Sequence, residues 1–153
     1  MVKHEQLKAD LIQYCTKFVE TQIANVQAAI DSAKESAQNE SKSSAGDKHE
    51  TGKSLMQLEQ ENNAQHLNNM LNQKRIITLI QKRDHSPEIS LGSLIETNSG
   101  YYFIAIGIGK VTVETTDVFV ISPTAPVGKV FQGKTIGDEV KFNGRTIKIT
   151  NVL

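Results

Sequence analysis

The spacing of apolar residues changes near Ser86-Pro87 and divides the chain into two differently built parts. Before this point, apolar residues recur at steps of three and four, which is the period of an amphipathic α-helix. Beyond it they alternate at steps of two, which is the period of a β-strand. Proline cannot continue a helix because it has no backbone N–H to donate. The sequence therefore predicts an α+β protein, with a helical part in residues 1–85 and a strand-rich part in residues 86–153.

Two long helices are predicted in the first part. From Glu5 to Ala37 there is neither Gly nor Pro, and a second helix-compatible segment runs from about Lys48 to Arg83. The apolar positions expected to face inward on the second helix are Leu55, Met56, Leu58, Leu67, Met70, Leu71, Ile76, Ile77, Leu79 and Ile80. Because neither apolar stripe is wide enough for a globular core, we expect an antiparallel coiled-coil hairpin with its tip near residues 38–50.

The second part has the pattern of a small antiparallel sheet with one short helix. The predicted strands are Ile89–Thr97, Tyr101–Val113, Thr116–Ser122, Glu139–Phe142 and Thr146–Val152. Turns are expected between them, and Asn143-Gly144 is a strong signal for a two-residue hairpin turn. The segment from Ala125 to Gln132 is long enough for about two turns of helix. Glycines at 107 and 109 indicate a bend or bulge inside the second strand.

Charge and cysteine content exclude several classes of function. Lys plus Arg and Asp plus Glu each number 17, so no net charge attracts nucleic acid, and we expect no independent sequence-specific DNA binding. The single cysteine, Cys15, cannot form an internal disulfide and fits a reducing compartment. Its apolar neighbours predict a buried helix residue rather than a nucleophile. Since no signal peptide or membrane-spanning apolar run is evident, we expect a cytoplasmic protein without membrane contact.

No self-contained catalytic or cofactor site is evident in the sequence. The four histidines, His4, His49, His66 and His85, are widely spread and have no second cysteine to complete a zinc site. The Gly107-Ile108-Gly109-Lys110 segment lacks the spacing of a phosphate-binding loop. We therefore expect neither an enzyme nor a cofactor of its own.

The run from Ile121 to Val140 carries a specific pattern. It reads ISPTAPVGKVFQGKTIGDEV. This pattern resembles the C-terminal domain of the bacterial Gre transcript-cleavage factors. The resemblance implies an FK-binding-protein-like fold without prolyl isomerase activity, and docking of this domain on RNA polymerase through residues 122–134. The residues that it implies for docking are Pro126, Val127, Lys129 and Lys134. It also implies that the helical hairpin enters the secondary channel of the polymerase.

Two acidic residues, Asp47 and Glu50, follow the polar segment at the predicted tip. From the residues alone they form a capping box that starts the second helix. The segment from Gly46 to Glu50 also resembles the Gre hairpin tip, which implies that both acids help hold the second magnesium ion of the polymerase active centre. That ion activates the water that cleaves backtracked nascent RNA. Carboxylates suit magnesium, and a spacing of three residues places both on one face of a helix. His49 is expected to be an exposed tip residue.

Three functions are compatible with the sequence. The first is a transcription elongation factor that stimulates RNA cleavage. The second is a secondary-channel modulator that does not cleave, because Thr51 and Ser54 stand where the family usually has Asn and Tyr, and because either the first helix or the tip loop is longer. The third is a coiled-coil adaptor unrelated to polymerase, which binds its partner through the polar stripe from Asn62 to Gln73.

Overall fold

The computed structural model describes the backbone of residues 2–41 and 46–153, and the side chains of residues 3–36, 38 and 54–153. Two long helices, α1 (Val2–Ser41) and α2 (Gly46–Lys82), precede a β-sheet that carries one short helix, so the predicted α+β class is confirmed. The chain forms two compact units, one of Met1–Thr16 with Arg75–Leu153 and the other of Lys17–Lys74. Each long helix thus contributes to both units, and the units do not follow the sequence boundary predicted at residue 85.

Helix α1 is 40 residues long and extends beyond the predicted end at Ala37. Of the predicted tip, residues 38–41 and 46–50 are helical, and residues 42–45 lie outside the described residues. In the second unit, Val19, Val26 and Ala33 are buried, and they recur at intervals of seven. This interval is typical of a helix that buries one narrow seam against a neighbouring helix.

The inward face of α2 differs from the prediction at three positions. Leu55, Leu58 and Leu79 are more than half exposed. The other predicted positions are half-buried or buried, and Met56 and Ile77 among them belong to a series with a seven-residue interval. Residues two apart lie about 200° apart around a helix, so Leu58 must point away from a seam that contains Met56.

Six strands form one sheet in the first unit. They are β1 (Leu94–Thr97), β2 (Gly100–Ile104), β3 (Gly109–Val113), β4 (Thr116–Ile121), β5 (Glu139–Phe142) and β6 (Arg145–Val152). The strand order is β3-β4-β2-β1-β6-β5. All neighbouring pairs are antiparallel except β2 and β4, which are parallel.

The predicted strand Tyr101–Val113 is wrong in its continuity. It is divided into β2 and β3. Strand β3 pairs with β4, on the edge of β4 that faces away from β2. The division falls at the predicted glycine bend, where Gly109 has a φ of 99° that other residues rarely adopt.

The predicted hairpin turn at Asn143-Gly144 is confirmed: both residues have positive φ, 52° and 76°, as a type I′ turn requires.

The central strands of the sheet are buried on both faces. On one face, Ile95 and Ile104 pack in a cluster with Phe131 of the short helix α3 (Pro126–Phe131); we refer to this face as the α3 face. On the opposite face, Phe103 and Val120 are fully buried. There the start of α1 approaches the sheet, since the His4 ring lies 3.3 Å from the Tyr101 hydroxyl. No helix within residues 2–41 and 46–153 has the length and hydropathy needed to cross a bilayer.

Burial makes Cys15 a testable reporter of the fold. Its side chain is 1% exposed, and burial raises the pKa of its thiol to about 11 from the ordinary value of 9.0. We expect a disulfide reagent at pH 8 to label the native thiol far more slowly than the thiol of urea-unfolded protein. Between those two pKa values only the unfolded chain loses the proton, so the free energy of unfolding should fall as pH rises there. Equal labelling rates for the folded and unfolded protein would contradict this burial.

Candidate functional site

Helix α3 begins in a turn that is fixed by local hydrogen bonds. The Ser122 hydroxyl accepts a hydrogen bond from the backbone N–H of Thr124 at 3.2 Å. The Ser122 carbonyl oxygen accepts another from the N–H of Ala125 at 3.1 Å. Pro126 then occupies the first turn of the helix, where its missing N–H leaves no hydrogen bond unmade. This part of the sequence therefore fixes where the helix starts.

Gly128 and Phe131 hold α3 against the sheet. A Cβ atom at position 128 would collide with the Ser122 carbonyl oxygen and would lie 3.1 Å from the Cα of Pro123. Only glycine allows so close an approach between the helix and the preceding turn. Phe131 is fully buried, and its ring centroid lies 5.0 Å from that of Tyr102 on β2. The close approach and the buried ring together set the position of α3 on its face of the sheet.

The chain after α3 is held in place by further hydrogen bonds. The Gly133 N–H donates to the Ile89 carbonyl at 3.0 Å, and the Ile89 N–H donates to the Lys134 carbonyl at 2.8 Å. Farther on, the Asp138 carboxylate accepts a hydrogen bond from the Thr135 N–H at 2.8 Å. The Asp138 side chain thus closes its turn, and Gly133 has a φ of 77°, a conformation that favours glycine. The hydrogen bonds of Ile89 also tie the segment that follows Pro87 to the end of α3.

The predicted docking residues differ in how accessible they are. Pro126, Lys129 and Lys134 are exposed. Val127 is half-buried and packs against the core cluster of the α3 face. The structure thus brings three of the four onto the surface of α3 and the turn that follows it, whereas Val127 also holds the helix in place.

The predicted tip acids lie near the start of α2. Asp47 is the second residue of the helix and Glu50 the fifth, so the helix begins one residue before the predicted cap. Their side chains, and that of His49, lie outside the described residues. Their predicted roles therefore stay predictions.

A cavity of about 470 Å³ lies between the first turns of α1 and one end of the sheet, and sequence reasoning missed it. Its polar lining includes His4, Asp10, Tyr101 and Glu114. His4 Nε2 lies 3.2 Å from a Glu96 carboxylate oxygen and 3.3 Å from the Tyr101 hydroxyl. Burial and the Glu96 charge raise the pKa of Tyr101. No sequence signal joins these residues, because His4 lies 97 positions before Tyr101 in the chain.

Neither a metal site nor a similarity to known proteins indicates a function. Among residues with described side chains, no three His, Cys, Asp or Glu groups come together as a metal site would require. No family model matches the chain, and no curated protein matches it. Function must therefore be argued from the residues and their arrangement.

Replacing Gly128 tests how α3 is seated. Gly128→Ala should lower the free energy of unfolding by about 1–3 kcal/mol, because the added methyl group forces the helix away from the turn at Ser122. Gly107→Ala is the matched control, since a Cβ there meets nothing within 4 Å. Urea unfolding measures both variants. Equal midpoints for Gly128→Ala and the wild type would show that the helix is not held by this close contact.

Proposed function

We propose that this protein is a cytoplasmic transcription elongation factor of the Gre type. It binds RNA polymerase through the surface of α3 and inserts its helical hairpin into the secondary channel. There it stimulates cleavage of backtracked RNA. The FK-binding-protein-like relationship of the sheet domain and the coiled-coil pairing of α1 with α2 belong to the same proposal.

One observation carries the docking part of this proposal. In the Gre-like run, the residues that shape the backbone are used by the fold: Gly128 allows the close approach of α3, and Asp138 closes the following turn. Lys129 and Lys134 are exposed and take no such part through their side chains. Two cations on a rigidly held surface element suit recognition of an acidic partner surface. The run thus combines a fixed support with an accessible charged surface.

The cleavage chemistry belongs to the polymerase, and the hairpin acts as an accessory. Asp47 and Glu50 would supply carboxylate oxygens to the second magnesium ion of the polymerase active centre. They lie three residues apart at the start of α2, a spacing that presents both from one side of a helix. The protein then needs no cofactor of its own and is not an enzyme by itself. Contact with nascent RNA is indirect, through the polymerase active centre.

Two alternatives rest on particular observations. Helix α1 continues to Ser41, so the longer tip comes at least in part from a longer helix, which favours a secondary-channel modulator that does not cleave. An adaptor unrelated to polymerase is favoured by the exposed Leu55 and Leu58 on α2, which offer apolar area to another partner.

Charge reversal on the α3 surface tests docking. The double variant Lys129→Glu, Lys134→Glu should bind purified RNA polymerase about tenfold more weakly at low salt, with a smaller difference at high salt because ions screen the contact. The matched control is Lys141→Glu, Lys148→Glu, which makes the same charge change at exposed positions on β5 and β6. If both double variants bind equally well, docking does not use α3.

Neutralising the tip acids tests the cleavage role. Asp47→Asn with Glu50→Gln should abolish stimulated cleavage in a stalled, backtracked polymerase complex and leave polymerase binding intact, because each change removes a charge from the magnesium site. Glu35→Gln, an exposed acid on α1, is the control. A capping role alone predicts that Asp47→Asn is silent, since Asn caps a helix as well as Asp.

The wild-type protein decides among the alternatives in the same assay. Polymerase binding without cleavage by the wild type would favour the modulator. Absence of polymerase binding would favour the adaptor and refute the Gre-type proposal. Full cleavage by the double variant would eliminate the metal role of Asp47 and Glu50.

A further inference from the structure

Three aromatic side chains form a row that leads from beneath α3 to the protein surface. The ring centroid of Tyr102 lies 5.0 Å from that of Phe131 and 5.5 Å from that of Phe119. Phe131 is fully buried, Tyr102 is half-buried, and Phe119 is 38% exposed. This aromatic row is therefore continuous with the core under α3 and ends in an accessible ring on β4.

The strand register places the exposed end of the row on the α3 face. Phe119 is paired with Tyr102 of β2 on one side and with Lys110 of β3 on the other. Residues directly opposite each other on neighbouring strands share one face of a sheet. Since the Tyr102 ring touches Phe131 of α3, the Phe119 ring lies on that same face. An exposed aromatic side chain thus lies on the same face of the sheet as the helix already proposed for docking.

We propose that Phe119 is an apolar anchor of the docking surface, and that its occupant is an RNA polymerase segment with an apolar side chain next to acidic ones. This inference rests on the proposed function and extends it beyond α3. Aromatic residues are enriched in the buried centres of protein interfaces, and charged residues in their rims. Phe119 supplies the apolar centre, and the exposed Lys129 and Lys134 supply a cationic rim.

The charges around Phe119 favour a protein occupant over nucleic acid. Lys110 lies 3.4 Å from the Asp117 carboxylate, and the Thr112 hydroxyl donates a hydrogen bond to that carboxylate at 2.6 Å. This hydrogen bond and the Lys110 charge lower the pKa of Asp117, so the negative charge is present at neutral pH. Asp117 therefore offsets the Lys110 charge next to the ring, which makes this end of the row less attractive to phosphates than an unpaired cation would be.

Polymerase binding by single-site variants tests the anchor. Phe119→Ala should raise the dissociation constant about tenfold, because truncating a central aromatic residue is typically costly at an interface. Phe119→Tyr keeps the ring and should bind like the wild type. Leu79→Ala is the matched control, because it truncates an exposed apolar residue on α2. Thermal unfolding of each variant checks that the fold is intact.

A crosslinking measurement covers the case in which Phe119→Ala does not fold. Benzoylphenylalanine at position 119 keeps an aromatic ring in the row and should crosslink to polymerase on irradiation, whereas the same residue at position 79 should not. Wild-type binding by a folded Phe119→Ala, or no crosslink from position 119, would overturn the anchor and leave the Gre-type proposal standing. Loss of a dimer by Phe119→Ala, seen in sedimentation, would also overturn it by assigning Phe119 to self-association. No binding by the wild type would overturn both proposals.

Discussion

The burial of the central strands on both faces is the constraint on which the rest of this structure depends. Neighbouring residues of a strand point to opposite faces, yet Leu94 and Ile95 of β1 are both fully buried, as are Phe103 and Ile104 of β2. Each face therefore needs its own cover. Helix α3 covers one, and the start of α1 approaches the other. Apolar area left open on either side would cost about 25 cal/mol for each Å².

This need for two covers explains why the bounds of the compact units differ from the position at which the apolar period changes in the sequence. Residues 1–16 and 75–82 belong to the same compact unit as the sheet, although their own apolar pattern is helical. A Cβ at Gly92 would lie 3.1 Å from the Ile80 side chain, so the end of α2 lies directly on the chain that leads into β1. The change in period at Ser86-Pro87 marks the change from helix to strand, and the compact unit that holds the sheet also includes the adjoining parts of both long helices.

The sequence predicted local turns and helices but not the pairing of strands that are distant in the chain. The type I′ turn at Asn143-Gly144 follows from two residues that accept positive φ, and the long helices follow from period and the lack of proline. The departure of β3 from β2 follows from its antiparallel pairing with β4. A single sequence carries no signal for the parallel pairing of β4 with β2 that places β4 between them. The row from Phe131 to Phe119 was missed for the same reason, because three elements contribute to it.

The Gre-like run separates into residues that the fold uses and residues that it leaves free. Gly128 and Asp138 would be required in any chain that seats a short helix and closes a turn in this way, so by themselves they indicate a fold rather than a partner. The side chains of Lys129 and Lys134 have no comparable structural role, so replacing them should cost little stability, whereas the Phe119 ring also stacks on Tyr102. Phe119 lies on the face of the sheet that α3 covers, and the two lysines lie on α3 and the turn that follows it. In the proposed docking, the exposed lysines would bind the partner while Gly128 and Asp138 maintain the fold, so binding and folding would depend largely on different residues of this domain.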